Sequence, residues 1–331
     1  MNITSENIDD FKILEIITGS NLYGTNTPSS DLDYGGIFIA PKDYYLGLKK
    51  IEQFDRSVVS KLESGKNSKD AVDFTMYELR KFITLAIDNN PNITEYLFTP
   101  QDKVVYSNSF GDLLLQNAQM FPYKGLKDKF LGYAFSQKHK MIIKVDNYEG
   151  LKIALDWLQE QCGITDPNFA CVGLQDKTRH KRLLAEFRDT APKSFKYDHH
   201  NVVIGDLSIS IKDTLYKTFL KVRDRLSKVG NREELYTKYG FDTKFGMHLV
   251  RLMLEGRELL ETGKLEYPLK DRQMLLDIRS GKWTKEDVIA YSEQLEAEMD
   301  GVAEKSSLPS KPRYKEVEEL LMSMVEEWWA R

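Results

Sequence analysis

Residues 16–39 read Ile16-Ile17-Thr18-Gly19-Ser20-Asn21-Leu22-Tyr23-Gly24-Thr25-Asn26-Thr27-Pro28-Ser29-Ser30-Asp31-Leu32-Asp33-Tyr34-Gly35-Gly36-Ile37-Phe38-Ile39. An apolar, β-branched run stops at Gly19, a polar loop with Pro28 follows, and a second apolar run ends at Pro41. This is the pattern of strand, glycine turn, loop and strand. Side chains alternate along a strand, so Asp31 and Asp33 are expected on one face, with Leu32 turned inward. Gly19 permits a tight turn and close backbone approach. Ser20 adds a hydroxyl, the following amides can meet phosphate oxygens, and Tyr23-Gly24 closes the turn.

Two carboxylates held side by side repel each other unless a cation sits between them. Their hard oxygens suit Mg²⁺, with Mn²⁺ as an alternative, and such an ion keeps substrate phosphates as further ligands. A phosphate-holding turn beside paired carboxylates points to nucleotidyl transfer, an in-line displacement at phosphorus. A third carboxylate is expected from a neighbouring strand. Asp73, in Val72-Asp73-Phe74, is the candidate, and Glu78 in the following helix is the reserve.

Working outward, residues 11–17 and 32–40 read as strands and 71–76 as a third. A helix from about 77 to 88 carries Leu79, Phe82, Ile83 and Ala86 at helical spacing. Asn90 caps the next helix and Pro91 takes its first position. Residues 54–70 are polar and read as a loop, 104–106 as a strand, and 112–117 as a helix. Beyond 120 the chain reads as mainly helical: 126–145, 148–161, 176–189, 211–228, 243–262, 284–300 and 312–330. A hairpin or extended excursion is expected in 192–210. Gly263 reads as a helix C-cap. The expectation is an α/β (α+β) protein: a catalytic domain over 1–120 with a small mixed sheet, and a helical domain over 121–331 that lines the cleft and binds the acceptor.

Composition bounds the rest. The 331 residues suffice for about two domains. With 41% hydrophobic and 30% charged residues a packed core is available, and the net charge of −4 leaves nucleic-acid binding to local basic patches. No secretory signal and no membrane span is read, and the two cysteines, Cys162 and Cys171, fit neither a zinc spacing nor a disulfide framework. A cytoplasmic setting is expected, without a membrane partner; the oligomeric state stays open.

Gly19-Ser20, Tyr23-Gly24 and Ser30-Asp31-Leu32-Asp33 resemble the signature of the DNA polymerase β-type nucleotidyltransferase superfamily. Three segments resemble, more narrowly, the RlaP-like nucleotidyltransferases of bacteria and phages, named for an RNA repair pathway. They are Gly19 to Leu48, Tyr77–Phe82 with Asn90-Pro91 and Glu95, and Tyr239–Leu252. The resemblance implies a small mixed sheet flanked by helices and a facing helical domain. It implies Asp31, Asp33 and Asp73 as metal ligands, an NTP substrate, and an RNA 3′ end, tRNA included, as acceptor.

Lys244, His248 and Arg251 fall at i, i+4 and i+7 of one helix and share a face. They either face the cleft and neutralise a triphosphate, or form a solvated stripe around a core histidine. Gln137, Lys140 and Lys144, with Lys138 and His139 beside them, form a second stripe. Lys177, Arg179, His180, Lys181 and Arg182 are the densest basic run, followed by Tyr197, His199 and His200. Basic residues among aromatics can hold single-stranded nucleic acid, although an ordinary exposed helix face is the commoner explanation of each run taken singly. Glu95 either supports the sheet or approaches the site. Trp328-Trp329 is a packed anchor or a partner contact. Two other functions stay open: the same chemistry on a protein or small-molecule hydroxyl, and an inactive member that only binds nucleotide or RNA.

Overall fold

The computed structural model describes residues 2–28, 30–58, 72–164, 181–228 and 232–331. The densest basic run is therefore only partly described: Lys177, Arg179 and His180 lie outside, as does Cys171. The chain divides into two compact units, 1–138 with 244–331, and 139–243. The boundary read near residue 120 marks the end of a catalytic domain, a functional division that stays a proposal.

In the first unit, β1 (Lys12–Thr18) runs into the short helix α1 (Gly19–Tyr23), and β2 (Leu32–Phe38) returns antiparallel to it. After α2 (Lys42–Leu46) come β3 (Gln53–Asp55) and β4 (Val72–Glu78). Strand β4 pairs parallel with β2, and β3 pairs antiparallel with β4. Then follow α3 (Leu79–Ile87), α4 (Pro91–Leu97), β5 (Val104–Ser107) and α5 (Ser109–Gln116). The sheet order is β3-β4-β2-β1-β5, with β2/β4 the parallel pair of a mixed sheet. Asn90 caps α4 by accepting from the Asn92 amide at 3.1 Å, and Pro91 opens the helix.

Apolar residues cover both faces of this sheet. Ile37, Leu14 and Ile16 pack with Phe82, Ile83, Tyr96 and Leu97 of α3 and α4, while Phe38, Phe74 and Met76 pack with Ile8. The C-terminal helix belongs to the first of these layers through Val317, Met324 and Val325. Its two tryptophans are anchors: Trp328 meets Phe110 edge-on, Trp329 meets Tyr45, and the Trp329 indole N–H donates to the Ala40 carbonyl at 3.2 Å.

One 37-residue helix, α6 (Leu126–Cys162), replaces the two expected over 126–161. Asp146-Asn147 reads as a break but adopts helix, because Val145, Tyr148 and Leu151 continue the buried stripe through it. The helix expected over 176–189 is not found where it is described: 181–189 holds the 3₁₀ turn Leu184–Phe187 and no α-helix. The excursion at 192–210 is a three-stranded antiparallel sheet, β6 (Lys196–Tyr197), β7 (Asn201–Ile204) and β8 (Leu207–Ser210). It shares a separate core with Leu151, Leu158, Leu215 and Phe219. Asp198, in the turn before β7, accepts from the His200 and Asn201 amides at 2.7 and 2.6 Å, a purely local turn.

The remaining helices are α7 (Leu215–Ser227), α8 (Arg232–Tyr239), α9 (Thr243–Thr262), α10 (Arg272–Arg279), α11 (Lys285–Lys305) and α12 (Tyr314–Ala330). Gly263 ends α9 at φ +75°, its amide donating to the Leu259 carbonyl at 2.8 Å.

Candidate active site

The site builds from the end of β1. Gly19 has φ +63°, and a Cβ there would stand 2.2 Å from Asp33 Oδ2. The residue is glycine because the backbone is left-handed and because the Asp33 carboxylate lies against it. Thr18 and Asp33 are directly paired across β1 and β2. The Asn21 side chain, one turn into α1, donates to the Asp31 carbonyl at 3.0 Å and ties the start of β2 to the Gly-Ser turn. Gly24 ends α1 at φ +75°, its amide donating to the Ser20 carbonyl. A Cβ on Gly24 would meet Pro268 at 2.7 Å, and the Leu269 amide donates to the Tyr23 carbonyl, so the segment after α9 seals the turn.

The parallel register places Asp33 beside Asp73. Glu78 lies at the other end of β4, paired with Phe38, on the opposite face of the strand. There it caps α3, accepting from the Arg80 and Lys81 amides at 2.9 and 3.4 Å and from the Tyr45 hydroxyl. Asp73 is the carboxylate the sheet brings to Asp33. Its Oδ1 accepts from Ser57 Oγ at 3.0 Å, a partner that sequence reasoning missed. Leu32 does not turn inward: it is 42% exposed, because it opens β2 ahead of the apolar layer that begins at Tyr34.

Electrostatics bind the three aspartates together. Burial and the charges of Asp31 and Asp73 raise the Asp33 pKa to about 6, against the opposing pull of Lys244. Among the described residues no group of three or more His, Cys, Asp or Glu side chains is placed so that it could hold a metal ion. Asp31, Asp33 and Asp73 present only carboxylate oxygens, and their repulsion is what a cation relieves.

Lys244, His248 and Arg251 share one face of α9 but stand in different surroundings. Lys244 is exposed and acts on Asp33. His248 is held neutral, its pKa driven far down by burial and then by Arg251, Lys244 and Arg279. Arg279, at the end of α10, is a cation that sequence reasoning did not single out. Arg251 is buried. Its guanidinium donates to both oxygens of Glu255 at 2.8 and 3.0 Å, stands 4.0 Å from Glu95, and lies 4.2 Å over the Tyr23 ring. The Tyr23 hydroxyl donates to Glu95. Burial lifts the Glu95 pKa to about 7, with Arg251 and Tyr23 opposing. Glu95 thus approaches the site from beneath, and its charge reaches Asp33. The i, i+4 spacing of Arg251 and Glu255 was a visible signal for this buried pair.

Arg80 stacks 4.2 Å from the Tyr45 ring, and Lys81 pairs with Glu52 at 2.9 Å.

A sheet that sets Asp33 beside Asp73 next to a glycine-serine turn lies inside the segment that comparison picks out. Residues 4–155 match the family described as RNA repair pathway DNA polymerase beta family, RlaP, which bears out the resemblance carried by Gly19–Leu48. The family points to polymerase β-like nucleotidyltransferase activity. The chain is also 28% identical over 307 residues, 87% of its length and 88% of the relative's, to an uncharacterized 38.9 kDa protein in the nrdC-mobD intergenic region of Enterobacteria phage T4. No solved structure matches. No helix among the described residues is long and apolar enough to cross a membrane.

Proposed function

We propose that the chain moves a nucleoside monophosphate from an NTP to a hydroxyl acceptor, with an RNA 3′ end, tRNA included, as the favoured acceptor. The observation that carries this reading is Asp33, seated against Gly19, its pKa raised by burial and then by the charges of Asp31 and Asp73. Asp31, Asp33 and Asp73 would hold Mg²⁺ or Mn²⁺. Such an ion, when bound, supplies charge neutralisation at the transferring phosphate. Ser20 and the amides after it hold the β- and γ-phosphates, and Lys244 offsets their charge. The acceptor oxygen attacks the α-phosphorus, the bond to the β-phosphate oxygen breaks, and pyrophosphate leaves. Asp73, steadied by Ser57, takes the acceptor proton. Arg251 is a positioning residue: through Tyr23 and Glu95 it fixes α1 beneath the phosphates. Rate acceleration on this reading comes from placement and charge rather than from a covalent intermediate.

The test is incubation with each α-labelled NTP, Mg²⁺ and total RNA, repeated with protein alone and with Asp33→Asn. Label on RNA that vanishes in Asp33→Asn supports the proposal. Label on the protein alone moves the acceptor to a protein hydroxyl. Retained nucleotide binding with no label on either overturns catalysis.

A further inference from the structure

Four residues form one row across the first unit's sheet. Thr18 pairs with Asp33, and Asp33 pairs with Asp73. Asp55 pairs with Thr75 and Val58 bridges Val72, so the same register sets Ser57 opposite Asp73. Thr18 leads directly into the Gly-Ser turn at one end of this row. Ser57 puts a hydroxyl at the other end, with the two carboxylates between. Neighbouring strands stand about 4.8 Å apart, so each member of the row is one strand away from the next.

Ser57 is pinned through its backbone. The Arg56 amide donates to the Phe74 carbonyl at 2.8 Å, and Val58 and Val72 exchange bonds at 2.7 and 3.1 Å. The Ser57 amide donates to Asp55 Oδ1 at 2.8 Å. Its side chain is fixed as well: Oγ accepts from the Phe74 amide at 3.0 Å and donates to Asp73 Oδ1 at 3.0 Å. A serine oxygen has one proton and two lone pairs. The proton goes to Asp73 and one lone pair to Phe74, which leaves the second lone pair for an electrophile. Solvent reaches this pair, since Ser57 is half-buried and Asp73 exposed. A hydroxyl that donates to an adjacent carboxylate base is the arrangement of an activated nucleophile.

Direction agrees with the wiring. In-line displacement needs the incoming oxygen and the leaving pyrophosphate on opposite sides of the α-phosphorus. The proposed function seats the β- and γ-phosphates at the Gly-Ser turn, on the β1 side of Asp33. Ser57 stands on the β3 side of Asp73, across the carboxylates from that turn.

We propose that, without an external acceptor, Ser57 itself takes the nucleoside monophosphate. Oγ bonds to the α-phosphorus of the NTP, and the bond from that phosphorus to the β-phosphate oxygen breaks. Pyrophosphate leaves with the electron pair, and the hydroxyl proton passes to Asp73. The product is a phosphodiester joining Ser57 to the nucleoside. This step rests on the nucleotidyltransferase reading for its NTP and adds a modification site on the chain.

Incubation of the full chain alone with each α-labelled NTP and Mg²⁺, followed by peptide mass spectrometry, tests it. One NTP is expected to leave a nucleoside monophosphate on Ser57, with fragmentation separating it from Ser60 of the same tryptic peptide, 57–61. Ser57→Ala should lose the label and Ser57→Thr, which keeps the hydroxyl, should retain it, with circular dichroism checking both folds. A parallel incubation with total RNA separates the two readings. Label on RNA with none on the protein, or with protein label at another residue, overturns the Ser57 assignment and leaves the transferase reading standing. No label on either overturns both.

Discussion

Replacing Asp33 by asparagine should stabilise the metal-free protein, and only at neutral to alkaline pH. Asp33 titrates near 6 instead of 3.8, first because it is partly buried and then because Asp31 and Asp73 repel its charge. The folded state therefore binds this proton more tightly than the unfolded chain does. Stability from this group is whole below about pH 3.8, falls as pH rises toward 6, and stays low above. Two units at ~1.36 kcal/mol each give about 3 kcal/mol for the full penalty. Solvent reaches part of the carboxylate, and halving for screening leaves about 1.5 kcal/mol. At roughly pH 4.5 about a third of that remains. For a chain of this size the gain in Asp33→Asn corresponds to about 2–3 °C in Tm at pH 8 and under about 1 °C at pH 4.5. Thermal unfolding in EDTA at the two pH values, variant against wild type, measures it. Millimolar Mg²⁺ should then raise the wild-type Tm at pH 8 and leave Asp33→Asn unmoved. A variant no more stable than wild type at pH 8, or equally stabilised at both pH values, refutes the repulsion argued for the three aspartates.

Gly19→Ala puts a methyl group where the Asp33 carboxylate stands and forces φ +63° on a residue that resists it. A fall in nucleotidyl transfer on the order of 10²-fold should accompany a stability loss of about 1–2 kcal/mol, read by labelled transfer and urea unfolding. Arg251→Met leaves Glu255 and Glu95 buried without their cation, and urea unfolding should show a loss of about 3 kcal/mol or more, partly restored in Arg251→Met/Glu255→Met. Asn90→Ala removes the α4 cap and should cost about 1 kcal/mol in the same assay, without altering transfer.

What the sequence made legible were features written in local pattern. Apolar runs bounded by Gly19 and Pro41 marked β1 and β2, and Asn90-Pro91 marked the start of α4. The 20-residue periodicity of α9 gave both its ends. Short elements escaped because they carry too few residues to show a period: β3 has three, and α10 buries only Leu275 and Ile278. Site residues divided the same way. Asp31 and Asp33 stood out by spacing, but the choice between Asp73 and Glu78 needed the register of β2 against β4, a long-range fact. Arg251 stayed open between a cleft-facing cation and a solvated one, because nothing local reveals that Glu95, from another helix, lies 4.0 Å away. Trp328 and Trp329 likewise needed Phe110 and Tyr45, far along the chain, to be seen as anchors.

The charges around α1 sort into two halves. Beneath it, Arg251 faces Glu255 and Glu95, and the Glu95 pKa near 7 leaves that carboxylate only partly ionised at neutral pH, so the buried layer is close to neutral. Above it, the charges of Asp31 and Asp73 act on a partly buried Asp33, and the positive charge of Lys244 opposes them there. On the far side of Lys244 the sign reverses: His248 stays uncharged first because it is buried and then because Arg251, Lys244 and Arg279 surround it with positive charge. An NTP needs both halves, a cation at its α-phosphate and fixed positive charge along its tail. On the proposed reading Gly19 is the hinge between them, since its missing side chain lets Asp33 stand directly over the turn that holds the phosphates.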